Sequence, residues 1–203
     1  IRMLFYPWSR FAKYMQCILI GLPVWYAVGI LMTFSPELAK DLGVPVAISA
    51  GSAIMWGYIG LALGDVASGL LSQYFKSRRY VVLGFLLLTA FLSVAYNFAE
   101  GASETVFYAL CTGLGFGVGY WAVFVTIAAE QFGTNLRSTV TTSVPNFVRG
   151  GVVPITLGFQ ALTPSFGLRD SALIVGAIVI FIALSALHFL PETYGKDLDY
   201  IEQ

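Results

Sequence analysis

The chain has 203 residues, balances 11 Lys and Arg against 11 Asp and Glu, and is 58% hydrophobic but only 11% charged. Its mean hydropathy is +0.79. Soluble domains carry roughly 25% charged residues, and a chain this apolar cannot hide its surface from water. An ordinary soluble enzyme, a disordered chain and a basic nucleic-acid binder are excluded, which leaves an integral membrane protein whose first partner is the lipid bilayer.

Residues 1–13 hold Arg2, Arg10 and Lys13 among Phe5, Tyr6, Trp8 and Phe11, the mixture of an interfacial lead-in. This stretch has no apolar core of the kind a signal peptide carries, and the chain opens on Ile1 rather than Met, as a piece of a longer protein does. Six apolar runs follow: Tyr14–Phe34, Ala47–Gln73, Tyr80–Phe98, Val106–Ala129, Ser138–Phe159 and Ser171–Leu190. A helix needs about 20 residues to cross a ~30 Å hydrocarbon core, and each run is about that long. None alternates in polarity, as a transmembrane strand would. The expected fold is all-α, with six transmembrane helices in two three-helix units, 14–98 and 106–190. Residues 99–105 form an external loop between the units and 191–203 a tail. Arg2, Arg10, Lys13, Lys76, Arg78, Arg79, Arg137 and Lys196 fall on one side, against only Lys40 and Arg169 on the other. The positive-inside rule then places both termini in the cytoplasm, as in a plasma (bacterial inner) membrane protein.

The spans are interrupted by small residues and prolines. The fourth contains Gly113, Gly115, Gly117 and Gly119, and the second contains Gly60 and Gly64. No strand precedes the glycines, so they suit close helix–helix approach rather than nucleotide binding. The fifth span holds Pro145, Gly150, Gly151 and Pro154, which predicts a kinked or partly open backbone. Cys17 and Cys111 read as small packing residues, and neither a metal-ligand cluster nor a cofactor motif is present.

Three short motifs lie at basic-side helix ends. The fourth span closes with Glu130-Gln-Phe-Gly-Thr-Asn-Leu-Arg137, and the second with Gly69-Leu-Leu-Ser-Gln-Tyr-Phe-Lys-Ser-Arg78-Arg79. The sixth closes with Pro191-Glu192-Thr193-Tyr194-Gly195. Together, in this order, they resemble the C-terminal half of a major facilitator superfamily transporter, nearest the sugar-porter and metabolite–proton symporter branches. The basic loop departs from that family's pattern at three places: Gln73 stands for its Asp, Tyr74 for its base and Lys76 for its Gly. The resemblance implies alternating access, no enzymatic activity, a small-molecule substrate and a partner. That partner is an N-terminal six-helix half or a second copy. It also implies a cytoplasmic gate drawn from Arg78, Arg79, Glu130, Arg137 and Glu192. A non-transporting membrane assembly or receptor-like module on the same scaffold is the alternative.

Two charges lie within the spans. Asp65 is eleven residues from Lys76, and Arg149 twelve from Arg137, which puts both roughly 16–18 Å into the membrane. Ions at that depth are paired, cavity-facing or functional. Asp65 and Arg149 are expected either to pair with each other or to serve separately, Asp65 as a proton acceptor and Arg149 as an anchor for an anionic substrate. Trp25, Tyr26, Trp56, Tyr58, Tyr120 and Trp121 are candidates to line a substrate cavity, with Asn146 offering an amide. His188 is expected to pack or to lie at the interface. The reading is of a secondary transporter half for a small polar or anionic solute, coupled to protons, with no nucleic-acid contact.

Overall fold

The computed structural model describes residues 2–196 and 199–201, and no strand occurs among them. The chain opens with α1 (Arg2–Phe5), α2 (Trp8–Leu19) and α3 (Leu22–Tyr26), and α3 continues into a π-helical turn, Ala27–Met32. Then come α4 (Ser35–Asp41), α5 (Ala50–Tyr74), α6 (Arg78–Asn97) and α7 (Glu104–Gly117). α8 (Trp121–Glu130), α9 (Thr134–Gly150) and α10 (Val152–Phe189) complete the order.

Among the described residues, five stretches are long and apolar enough to cross a membrane: Trp8–Met32, Ala50–Tyr74, Arg78–Asn97, Glu104–Glu130 and Thr134–Phe189. The last has 56 residues. Run straight, it would measure about 84 Å, far more than a bilayer. Gly167 folds it back, with φ 78° and ψ 173° in a region open only to glycine. Ile155 and Phe159 before this turn share a core with Ala172 and Val175 after it. Leu136 shares the other core with Leu187 and Leu190. The 56 residues therefore make two membrane-length segments, where Ser138–Phe159 and Ser171–Leu190 were expected. The intervening residues are helical almost throughout, not a loop.

The first and fourth crossings are broken, which the apolar pattern did not predict. Helix α2 gives way at Ile20–Gly21, where Pro23 in the first turn of α3 cannot donate the next backbone bond. A Cβ at Gly21 would lie 2.9 Å from the Val148 methyls, so the break is also a point of close packing. The fourth crossing breaks between Gly117 and Trp121. The first crossing begins at Trp8 rather than Tyr14, so the aromatic lead-in is itself largely helical. In the fifth, only Gly151 separates α9 from α10, and Pro145 sits inside α9.

Helix α5 buries its small residues and shows its large ones. Ala53, Gly57, Gly60, Gly64, Ser68 and Ser72 face inward. Leu63, Val66 and Leu70 are each about three-fifths exposed or more. Lipid offers no hydrophobic drive for packing, so small residues that let backbones approach define the contact. A Cβ at Gly115 would fall 1.9 Å from the Gly57 carbonyl oxygen, and one at Gly60 1.9 Å from that of Thr112. The expected use of Gly115, Gly119, Gly60 and Gly64 as contact residues is thus seen directly. Gly117 packs instead on Thr89 of α6.

Two apolar cores stack along the bundle. One gathers Tyr14, Phe124, Phe132 and Leu190 and the other Tyr26, Leu31, Phe107 and Phe159. Cys17 and Cys111 are buried, one in each. The motif-bearing helix ends lie at the end of the first core. Phe98–Ser103, Leu42 and Gly167 mark the opposite end, where Gly101 N–H donates to Leu42 and Arg169 pairs with Glu100.

Candidate functional site: a mid-span cleft and a charged end

The break before α8 creates a problem that Asp65 answers. A helix beginning within a membrane leaves its first N–H groups without partners. Asp65 Oδ1 accepts from the Ala122 N–H at 3.0 Å, in the first turn of α8. Glycines make this reach possible: a Cβ on Gly119 would lie 2.5 Å from the Cα of Gly64, the residue beside Asp65. A carboxylate at a helix N-terminus is also favoured by the backbone dipoles.

Arg149 lies near the middle of its crossing and is exposed on the bundle's flank. Its Nη1 donates to Asn146 Oδ1 at 3.3 Å, and its Cζ lies 5.7 Å from the Trp121 ring centroid. Asn146 is oriented by donating Nδ2–H to the Thr142 carbonyl. A cleft of about 160 Å³ opens here, between Arg149, Trp121, Trp25, Tyr58, Leu61 and Val28. The buried Trp25 Nε1–H has no hydrogen-bond partner. One guanidinium and several aromatic rings therefore meet at mid-span.

No ion pair joins Asp65 to Arg149 among the described residues, so of the two arrangements expected for them the direct pair is not seen. They meet indirectly, at the start of α8, Asp65 on the Ala122 N–H and Arg149 over Trp121. Tyr26 does not join the cleft. It is fully buried, donates its hydroxyl to the Ala172 carbonyl at 3.0 Å, and fills the space that Gly176 leaves. Tyr120 is likewise buried, donating to the Ile20 carbonyl. Trp56 lines a separate cavity of about 620 Å³ with Ser52, Tyr108 and Thr112.

The charged end is tied by two carboxylates. Glu192 accepts from the Ser77 hydroxyl and from the Arg78 and Arg79 N–H groups at 2.9 and 3.2 Å, so it caps α6. The Tyr194 N–H adds a further bond at 3.0 Å. Partial burial works against the Glu192 carboxylate, but the bonds from Ser77, Arg78, Tyr194 and Arg79 outweigh it and hold its pKa down to about 2. Glu130, at the end of α8, accepts from Arg78 Nη2 at 3.3 Å and from the Thr193 hydroxyl at 2.6 Å. Arg79 Nη2 donates to the His188 carbonyl, and Arg137 Nε to that of Ala129. His188 is exposed at this rim. Arg78, Arg79, Glu130 and Glu192 are thus brought into one network, Arg79 through its backbone N–H. The sequence reading missed Ser72, Ser77 and Thr193. Ser77 just ahead of α6 was the legible signal, as an N-cap residue.

A bundle of apolar helices long enough to cross a bilayer is an integral membrane protein. No family model matches the chain. It is 26% identical over 159 residues to the 4-hydroxybenzoate transporter PcaK of Pseudomonas putida, covering 78% of this chain and 35% of PcaK. It is 30% identical over 154 residues to the niacin transporter NiaP of Acinetobacter baylyi, covering 76% and 34%. It is 22% identical over 188 residues to a glucose facilitated diffusion protein of Zymomonas mobilis, covering 87% and 39%. These relatives are transporters of the major facilitator type, not enzymes, and the resemblance drawn from the three motifs stands. The chain spans about a third to two fifths of the length of these relatives.

Proposed function

We propose that the chain is the C-terminal half of a proton-coupled secondary transporter that moves a small aromatic carboxylate by alternating access. The observation that carries this reading is Arg149, exposed at mid-span beside Trp25, Tyr58 and Trp121. A guanidinium at that depth cannot face lipid without large cost, so a water-filled path and a second bundle must cover it. An N-terminal six-helix half, or a second copy of the chain, supplies that cover. The guanidinium fork fits a carboxylate, and the rings fit an aromatic body. Two relatives carry the matching chemistry in their names, since 4-hydroxybenzoate and niacin are both aromatic carboxylates.

The remaining parts take roles in the same cycle. Asp65 is the proton acceptor: protonation removes the charge that caps α8 and so alters how that segment is held. The network of Arg78, Arg79, Glu130, Arg137 and Glu192 is the cytoplasmic gate, a few weak ties that bias two conformations. The excess of cations at this end orients it toward the cytoplasm of a plasma membrane. Residues 14–98 and 106–190 are the two three-helix units, flanked by the lead-in 1–13, the loop 99–105 and the tail 191–203.

Uptake competition in proteoliposomes holding the complete transporter tests the substrate class. Nicotinate and 4-hydroxybenzoate are expected to compete with the transported solute, and nicotinamide and glucose to compete at least tenfold less well. Competition by glucose with indifference to both carboxylates would overturn the reading.

A further inference from the structure

The basic loop after α5 carries one residue that its backbone conformation does not favour. Lys76 follows the end of α5 with φ 49°, the left-handed conformation in which helices ordinarily place glycine. A lysine held in a glycine conformation points to use of its side chain. Its ammonium has no hydrogen-bond or ion-pair partner among the described residues.

Lys76 opens onto a cavity of about 470 Å³ between the start of α6 and the end of α10. Arg79 is the second cation on its wall, anchored to α10 through the His188 carbonyl at 3.0 Å. Among the described residues, the one anion on the wall is Glu192, already engaged by Ser77 and the first N–H groups of α6. Leu83 and Leu184 form the deeper wall, roughly one turn further into the membrane than Arg79 and His188. Phe75 and Tyr80 stand at the rim, 58% and 74% exposed, as aromatic residues do at headgroup level. Cations at the mouth over an apolar floor, at the edge of the bilayer, match a charged headgroup carrying acyl chains.

We propose that this cavity binds the phosphate headgroup of an anionic phospholipid between Lys76 and Arg79, with an acyl chain laid along Leu83 and Leu184. The proposal rests on the chain spanning a membrane and not on which solute it transports.

Thermal unfolding of the purified protein in neutral detergent, titrated with phosphatidylglycerol or phosphatidylcholine, tests it. Phosphatidylglycerol is expected to stabilise at tenfold or more lower concentration than phosphatidylcholine. Lys76→Gly suits φ 49° and is expected to fold at least as well without lipid, while its preference for phosphatidylglycerol falls about fivefold, the effect of one basic residue at an anionic surface. Inorganic phosphate, lacking chains, is expected to give no shift. Equal response to the two lipids, an unchanged preference in Lys76→Gly, or stabilisation by phosphate matching that by phosphatidylglycerol would each overturn the proposal.

Discussion

Replacing Glu192 by Gln tests how the Pro191-Glu192-Thr193 motif holds the charged end together. The carboxylate accepts from the Arg78 and Arg79 N–H groups at 2.9 and 3.2 Å and from the Ser77 hydroxyl. An amide keeps one accepting oxygen, loses the charge, and turns an NH2 toward groups that are themselves donors. Losing a side-chain cap costs about 1 kcal/mol, and losing a charge beside helix N–H groups about 0.3–1 kcal/mol. Glu192 is exposed, so solvent screening favours the lower part of that range. The expected loss is about 1 to 2 kcal/mol at pH 7, read from reversible unfolding in mixed micelles. The pH dependence gives a second signature. The folded pKa of about 2 lies below the ordinary 4.5, so the stabilisation is complete above about pH 4.5 and disappears as pH falls through 2. The gap between wild type and Glu192→Gln should therefore narrow across that window, while independent carboxylates cancel in the comparison. A gap under about 0.3 kcal/mol at pH 7, or one that does not change down to pH 2, would refute the capping argument.

Gly115→Ala places a methyl 1.9 Å from the Gly57 carbonyl oxygen, so α5 and α7 must part by about 1 Å, at a cost near 1–3 kcal/mol. Gly69→Ala meets open space and is expected to be neutral or slightly stabilising; equal unfolding midpoints for the two variants would contradict the packing account. Asp65→Asn keeps an oxygen for the Ala122 N–H and is expected to retain the fold and substrate exchange while losing pH-driven accumulation. Asp65→Leu orphans that N–H and should also cost stability, about 1–3 kcal/mol. Intact accumulation by Asp65→Asn would remove Asp65 from proton coupling.

The crossings were legible because a bilayer demands about 20 apolar residues per helix, and the sequence shows such runs. Their breaks were not. The interruptions at Gly21 and at 118–120 depend on what packs beside them: Val148 against Gly21, and Asp65 ready to cap α8. Residues 160–166 fall between the fifth and sixth apolar runs, yet they continue the helix up to the single turn at Gly167. The depth of Asp65 and Arg149 followed from counting, but depth says nothing of direction around a helix, and only the structure shows that they meet α8 rather than each other. Trp25 and Tyr26 make the same point. They are adjacent and alike in sequence, and roughly 100° of helical rotation sends one to the cleft and the other into the core.

Arg149→Lys, measured in the complete transporter, tests whether the guanidinium recognises a carboxylate. The lysine keeps the charge but loses the planar two-pronged fork and the stacking on Trp121. Inhibition constants for nicotinate and nicotinamide, taken on wild type and variant, separate carboxylate recognition from general damage to the cleft. Nicotinate binding is expected to weaken about tenfold or more, equivalent to about 1.4 kcal/mol, while nicotinamide changes less than twofold. Equal weakening of both ligands, or no weakening of nicotinate, would contradict it.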